Sequence, residues 1–232
     1  NYTTMYLIEG EDKAVLIDTG TRCADLDKIV GQITGKPLEV IVTHMHPDHA
    51  GCIKYFDKVW MHRADTVLVP QHAADYQGEF LYMEEGQVFD LGGRKLEVAW
   101  MPGHTPGSVV LLDKANGDCY SGDAFGSGEV WLQCVPMSPI ATFHESCCRM
   151  EKLMKEGHIK DIWCGHYPYL KSSLPLAYIQ TMIRISHRLM NGDQEGSEPY
   201  SNYFIKMPPT ARKLAEGRAM IVYDSTNIPE AR

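Results

Sequence analysis

Four side chains of metal-ligand type fall within six residues, His44-Met45-His46-Pro47-Asp48-His49. Zinc takes neutral imidazole nitrogens and carboxylate oxygens at about 2.0–2.2 Å. Alternate side chains of an extended segment point the same way, so His44 and His46 can reach one ion together. A turn into a helix near Asp48 would swing Asp48 and His49 toward a second position. Pro47 suits that turn because it pushes His46 toward extended geometry. The competing reading is a polar loop with chance histidines. Further candidates weaken it: His104 in Pro102-Gly103-His104-Thr105-Pro106-Gly107, Asp123 in Ser121-Gly122-Asp123, and His166 in Cys164-Gly165-His166. Each alone reads as a loop or capping residue. Together with the first four they are enough for two metal ions with positions left for solvent and substrate.

Each candidate must be delivered by a rigid element. Ala14-Val15-Leu16-Ile17 reads as a buried strand that ends at Asp18-Thr19-Gly20. Leu26, Ile29, Val30 and Ile33 follow at helical spacing, with Gly35 as the expected C-cap. Val40-Ile41-Val42 is the next strand, and its end delivers the histidine cluster. Val59-Trp60-Met61 reads as a further short strand. Leu96–Trp100 and Val109–Leu112 read as strands around the His104 turn, and Asn116-Gly117 signals a hairpin into Cys119-Tyr120. Thr142-Phe143-His144-Glu145 resembles a capping box opening a helix that stops at Gly157. Ile162-Trp163-Cys164 is a strand, Pro175 starts a helix running to Asn191-Gly192, and Ala219–Tyr223 is a closing strand. His44, His104, Asp123 and His166 all leave the ends of strands, so one sheet edge can gather them.

The chain has 232 residues, 44% hydrophobic and 22% charged, with a net charge of -8. That composition is ordinary for a globular protein, and the length suits one metallo-hydrolase-sized domain spanning 1–232. The acidic balance argues against a nucleic-acid partner, which needs a cationic face. No apolar stretch reaches the roughly 18 residues that span a bilayer, so no membrane partner is expected. An odd cysteine count, 7, without a CxxC pair does not read as a disulfide framework. The simplest expectation is a reducing, cytoplasmic setting. The sequence opens at Asn1 rather than Met, as a trimmed or matured chain would, so an exported form with a removed leader or first strand stays open.

The ordered set His44-x-His46-x-Asp48-His49, His104, Asp123 and His166 resembles the metallo-β-lactamase fold superfamily. Leu16-Ile17-Asp18-Thr19-Gly20 and the turn Pro102–Gly107 match its usual surroundings. The resemblance runs from about Met5 to His166. It implies an α/β fold, a four-layer αββα sandwich with metals along one edge. It also implies a first metal on His44, His46 and His104, a second on Asp48, His49 and His166, and Asp123 bridging them. Asp18 would brace the metal loop, or serve only as a turn former. The cofactors implied are two divalent ions, zinc by ligand type, with iron or manganese as alternatives. The implied reaction is attack of a metal-bound hydroxide on the acyl carbon of a small-molecule ester, thioester or lactone. Asp48 would be the catalytic carboxylate, orienting that hydroxide and relaying a proton to the leaving group.

True β-lactamases of this fold lack an aspartate at the bridging position, so Asp123 argues against them. Glyoxalase II enzymes share the ligands, but Gly165-His166-Tyr167-Pro168 matches their last motif only in part. Lactonases place a tyrosine near the substrate carbonyl, and Tyr167 or Tyr120 is offered here. The alternatives are a mono-iron persulfide dioxygenase-like oxidoreductase and a non-catalytic metal-binding protein. His62, His72, His158 and His187 read as surface or helix histidines, and His144 as part of a helix entrance. Cys147 and Cys148 read as packing residues. The apolar stretch from Phe125 to Phe143 reads as a pocket wall or lid, or as a loop on the core or in a homodimer interface. Asp65 to Gly86, with Tyr76, Phe80, Tyr82 and Met83, reads as the opposite wall.

Overall fold

The computed structural model describes residues 2–203 and 206–229. The first half lays down β1 (Tyr6–Glu9), β2 (Ala14–Ile17), α1 (Leu26–Ile33), β3 (Leu38–Ile41), α2 (Pro47–Ala50), β4 (Lys58–His62), α3 (Val69–His72) and β5 (Glu79–Met83). These strands form one sheet in chain order. β1 is antiparallel to β2, and β2 to β5 run parallel. The run Ala14–Ile17 is buried throughout, as a parallel strand covered on both faces requires. In α1 only Leu26 and Val30 are buried, whereas Ile29 and Ile33 face outward. Thr34, in extended geometry, ends that helix one residue before Gly35.

The second half adds β6 (Val88–Asp90), β7 (Lys95–Trp100), β8 (Val109–Asp113), β9 (Asp118–Gly122), β10 (Glu129–Trp131), α4 (Ile140–Lys155) and β11 (Asp161–Cys164). It ends with α5 (Tyr167–Leu170), α6 (Leu176–Met190), β12 (Glu198–Pro199), β13 (Ala211–Glu216) and β14 (Ala219–Asp224). A second sheet has the order β11-β9-β8-β7-β6. α4 starts at Ile140 after Pro139, so Thr142 and Glu145 lie inside the helix rather than capping it. Proline suits that boundary because the amide hydrogen it lacks would have had no helical partner.

The period of two along the strands sorts side chains into layers. Val15, Ile17 and Ile41 from one sheet meet Leu96, Val98, Val109 and Leu111 from the other in a central core. Leu16 and Val40 point outward beneath Leu26 and Val30 of α1. Val110 and Leu112 point outward beneath Phe143, Met150, Ile179 and Met182 of α4 and α6. The result is helix, sheet, sheet, helix. A smaller sheet, β10-β14-β13-β12, is an addition that the sequence pattern did not announce beyond its closing strand. It lays Ile221 and Leu214 against the α4–α6 core.

Candidate active site

β2 and β3 run parallel, and so do β7, β9 and β11 through their pairing across β8. Loops that leave these strands therefore emerge together on one edge of the sandwich. Thr43 and His44 follow β3, His104 follows β7, Asp123 follows β9, and His166 follows β11. All seven predicted ligands converge there. Ligand-type atoms of His44, His46 and His104 lie within 4.8 Å of one another, as do those of Asp48, His49 and His166. A third such group, His44, His49 and Asp123, spans the two. Asp123 lies between them: its Oδ2 is 3.0 Å from His166 Nε2 and 3.9 Å from His104 Nε2, and its Oδ1 is 3.5 Å from His49 Nε2. Asp48 Oδ2 faces His166 Nε2 at 3.4 Å and His49 Nε2 at 3.9 Å.

The outer hydrogen bonds fix how the imidazoles point. His104 Nδ1 donates to the Trp131 carbonyl at 2.7 Å, and His166 Nδ1 to the Tyr2 carbonyl at 2.9 Å. A carbonyl only accepts, so both Nδ1 atoms carry hydrogen and each Nε2 is the nitrogen turned inward. His49 Nδ1 donates to Asp18 Oδ2 at 2.7 Å. Thr43 Oγ1 donates to the same carboxylate at 3.0 Å and is left to accept from His44 Nδ1 at 3.1 Å. Asp18 Oδ1 also takes the Thr43 backbone N–H at 2.7 Å. Asp18 thus does more than form a turn: through itself and Thr43 it orients two inner rings.

Inside that frame, His44 Nε2, His49 Nε2 and Asp123 Oδ1 are buried without a hydrogen-bond partner. Unsatisfied buried polar atoms are costly, each by about 1–3 kcal/mol. Two imidazole nitrogens and a carboxylate oxygen, clustered and orphaned, fit a bound cation. Burial and the neighbouring His49, His104 and His46 hold His44 well below the usual histidine range, so it offers a neutral ring. Burial and His104 do the same to His46. Asp123 is held well below the usual carboxylate range: burial opposes its charge, but His166 and His49 outweigh that.

Close packing reinforces the frame. A side chain at Gly165 would strike the His49 ring and lie 2.7 Å from Asp123 Oδ1. At Gly122, which has a φ of 49°, it would strike Thr43. Asp65 is a residue that spacing did not reveal. Fully buried, it accepts from Met45 N at 2.9 Å, Thr105 Oγ1 at 3.0 Å and Gly107 N at 2.6 Å. It ties the His44–His46 segment to the His104 turn. Burial outweighs those three bonds and pushes its carboxyl up to about 6.

A cavity of about 680 Å³ opens onto the cluster, lined among others by His72, Glu129, Trp131, Cys134, Val135 and Tyr169. The 125–143 stretch supplies a wall through Glu129 to Val135, while Phe125, Leu132, Ile140 and Phe143 turn into the core. From the expected opposite wall only Gln71 and His72 reach the cavity, and Met83 is buried in the central core. Tyr76, Phe80 and Tyr82 pack on the α1 side. Tyr169 lines the cavity, whereas Tyr120 is buried beside Arg94 Nη2 at 3.3 Å. His62 stacks on Trp100. His144 turns away to Ser186.

A family model described as the metallo-beta-lactamase superfamily matches residues 1–144. The bovine protein named acyl-coenzyme A thioesterase MBLAC2 is 26% identical over 206 residues, covering 72% of this chain and 74% of its own. A hydroxyacylglutathione hydrolase of Aeromonas salmonicida is 27% identical over 179 residues, covering 75% of this chain and 64% of its own. Among solved structures, TTHA1623 in a di-iron-bound form superposes with a TM-score of 0.59 at 27% identity, over 75% of this chain and 89% of that one. The DIM-1 metallo-β-lactamase shares the fold, with a TM-score of 0.61 at 14% identity over 80% of this chain and 86% of that one.

Proposed function

Because the chain belongs to the metallo-β-lactamase superfamily, we propose that it is a two-metal hydrolase of small-molecule thioesters. The carrying observation is the orphaned trio His44 Nε2, His49 Nε2 and Asp123 Oδ1, set among imidazoles whose other nitrogens are already braced. His44, His46 and His104 would hold one ion, and Asp48, His49 and His166 the other, with Asp123 shared. The N/O ligand set suits zinc and also accommodates iron or manganese. Bound there, the ions would supply an acidified water and a polarised acyl carbonyl.

The chain's own residues do the rest. Asp48, partly exposed on the cavity, holds and passes a proton at its carboxylate. Trp131 and Val135 shape an apolar wall, and His72, Gln71, Tyr169 and Asn202 offer polar contacts around it. A thioester suits a site of this kind, since a thiolate leaves readily. The similarity to proteins named as an acyl-coenzyme A thioesterase and a hydroxyacylglutathione hydrolase supports the same choice. Among the described residues lining the cavity there is no Lys or Arg, so the carboxylates of a glutathione thioester would find no basic side chain of that kind there.

The test is metal analysis of the purified protein with a panel of acyl-coenzyme A, glutathione and short-chain thioesters, esters and lactones. We expect metal-dependent thioester cleavage that Asp48→Asn reduces by about 100-fold or more. Oxygen uptake with a persulfide substrate, or a metal-free and inert chain, would overturn the reading.

A further inference from the structure

A second set of metal-type ligands lies away from the cleft, where α4 meets α6. His144 and Cys148 are one turn apart on α4, and His187 is on α6. Their arrangement starts from a buried hydroxyl. Ser186 Oγ donates to the Met182 carbonyl at 2.7 Å. Its hydrogen is thereby used, so at 2.9 Å from His144 Nδ1 it accepts that ring's hydrogen. His144 is left with a bare lone pair on Nε2, pointing at Cys148 Sγ 3.5 Å away. A tetrahedral zinc with Zn–N of about 2.0–2.1 Å and Zn–S of about 2.3 Å sets its nitrogen and sulfur about 3.5 Å apart. The two atoms therefore already have the spacing of neighbouring ligands. The outer hydrogen bond that His144 Nδ1 donates to Ser186 is of the kind that orients metal-bound histidines.

His187 completes the set. Its ring centroid is 5.9 Å from that of His144, against 4.8 Å for His44 and His104 in the cleft. His187 is exposed, and its ring nitrogens meet only long contacts to the Asn191 amide, at 3.4 and 3.5 Å. The donor atoms of the three residues do not all lie within 4.8 Å of one another as they stand, so binding requires His187 to change rotamer toward the pair. The electrostatic surroundings favour a cation. Glu145 and Glu151 act on Cys148. The nearby guanidiniums are neutralised, Arg149 by Glu85, Arg184 by Glu216 and Arg188 by Asp193.

We propose that His144, Cys148 and His187 form a peripheral site for a thiophilic divalent cation, zinc by ligand set, oriented by Ser186. Binding forms a metal–sulfur bond and releases the Cys148 thiol proton to solvent, and water fills the fourth position. The cleft cluster contains only nitrogen and oxygen ligands, so the two sites differ in spectrum as well as place.

Cobalt(II) titration of the whole chain separates them. We expect a thiolate-to-cobalt absorption band that is abolished in Cys148→Ser and retained in Cys134→Ser, the cysteine that lines the cleft. His187→Ala and His144→Gln should each weaken the cobalt affinity read from that band by about tenfold or more. Zinc-loaded wild type should hold one more ion per chain than Cys148→Ser, with any hydrolytic activity equal in the two. A band that is absent, survives Cys148→Ser, or ignores His187→Ala overturns the proposal, as does equal zinc content. Neither readout depends on what the cleft hydrolyses.

Discussion

Within each of its two metal groups, the candidate cluster holds its histidines in two different ways. His44 and His49 are braced by side chains of the first half of the chain, through Thr43 and the Asp18 carboxylate. His104 and His166 are braced by main-chain carbonyls of Trp131 and Tyr2, 27 and 164 residues away. A carboxylate brace depends on residue identity, and a carbonyl brace depends only on where the backbone runs. The carboxylate-braced pair should therefore be sensitive to single substitutions, and the carbonyl-braced pair to the integrity of strands.

The sharpest way to break that contrast is Asp18→Asn. It places an amide where Asp18 now accepts three hydrogen bonds, and metal affinity should fall about 10–100-fold, read by competition with a chelator. Gly165→Ala pushes a methyl group onto His49 and Asp123. It should cost about 1–3 kcal/mol in urea unfolding and lower metal content at the same time. Asp65→Asn leaves at least one of its three donors facing an amide, with a loss of about 1–3 kcal/mol at neutral pH. Folding raises the Asp65 carboxyl from 3.8 to about 6, so the folded state binds its proton more tightly than the unfolded chain does. That group accordingly adds stability as pH falls from about 6 to about 4. The deficit of Asp65→Asn should widen over that window, by up to about 3 kcal/mol in metal-free protein. Trp131→Phe keeps the carbonyl, so metal affinity should stay within about twofold. KM should move instead, because the indole lines the cavity. A large loss of metal in Trp131→Phe would erase the distinction between the two kinds of brace.

The same distinction explains what could be read from the sequence. The seven candidate ligands were legible because chemistry demands particular residue types, and four of them, His44, His104, Asp123 and His166, stand just beyond strands. Asp18 was legible as a brace or a turn, and its three hydrogen bonds decide between those roles. The buried runs Ala14–Ile17 and Val109–Asp113 were legible because both of their faces are covered. Asp65 was not, since its partners Met45, Thr105 and Gly107 lie 20, 40 and 42 residues away. The carbonyls of Trp131 and Tyr2 carry no sequence signal, because every residue has one. His72 looked like an ordinary helix histidine until the turn after β4 brought it to the cavity. The wall expected from Tyr76 to Met83 failed because β5 joins the sheet, which turns those side chains into the layers.

The small sheet bears on how the protein is made. Trp131 belongs to β10, whose partner is β14, with Trp131 opposite Val222. On a ribosome, His44 to His49 emerge before β10 and β14, in a chain that folds as it lengthens. The strand that steadies the carbonyl behind His104, Ala219–Asp224, emerges well after them. An ion captured during synthesis would therefore meet a partial set of the candidate ligands, and a full coordination shell would be a product of the later fold rather than a nucleus for it.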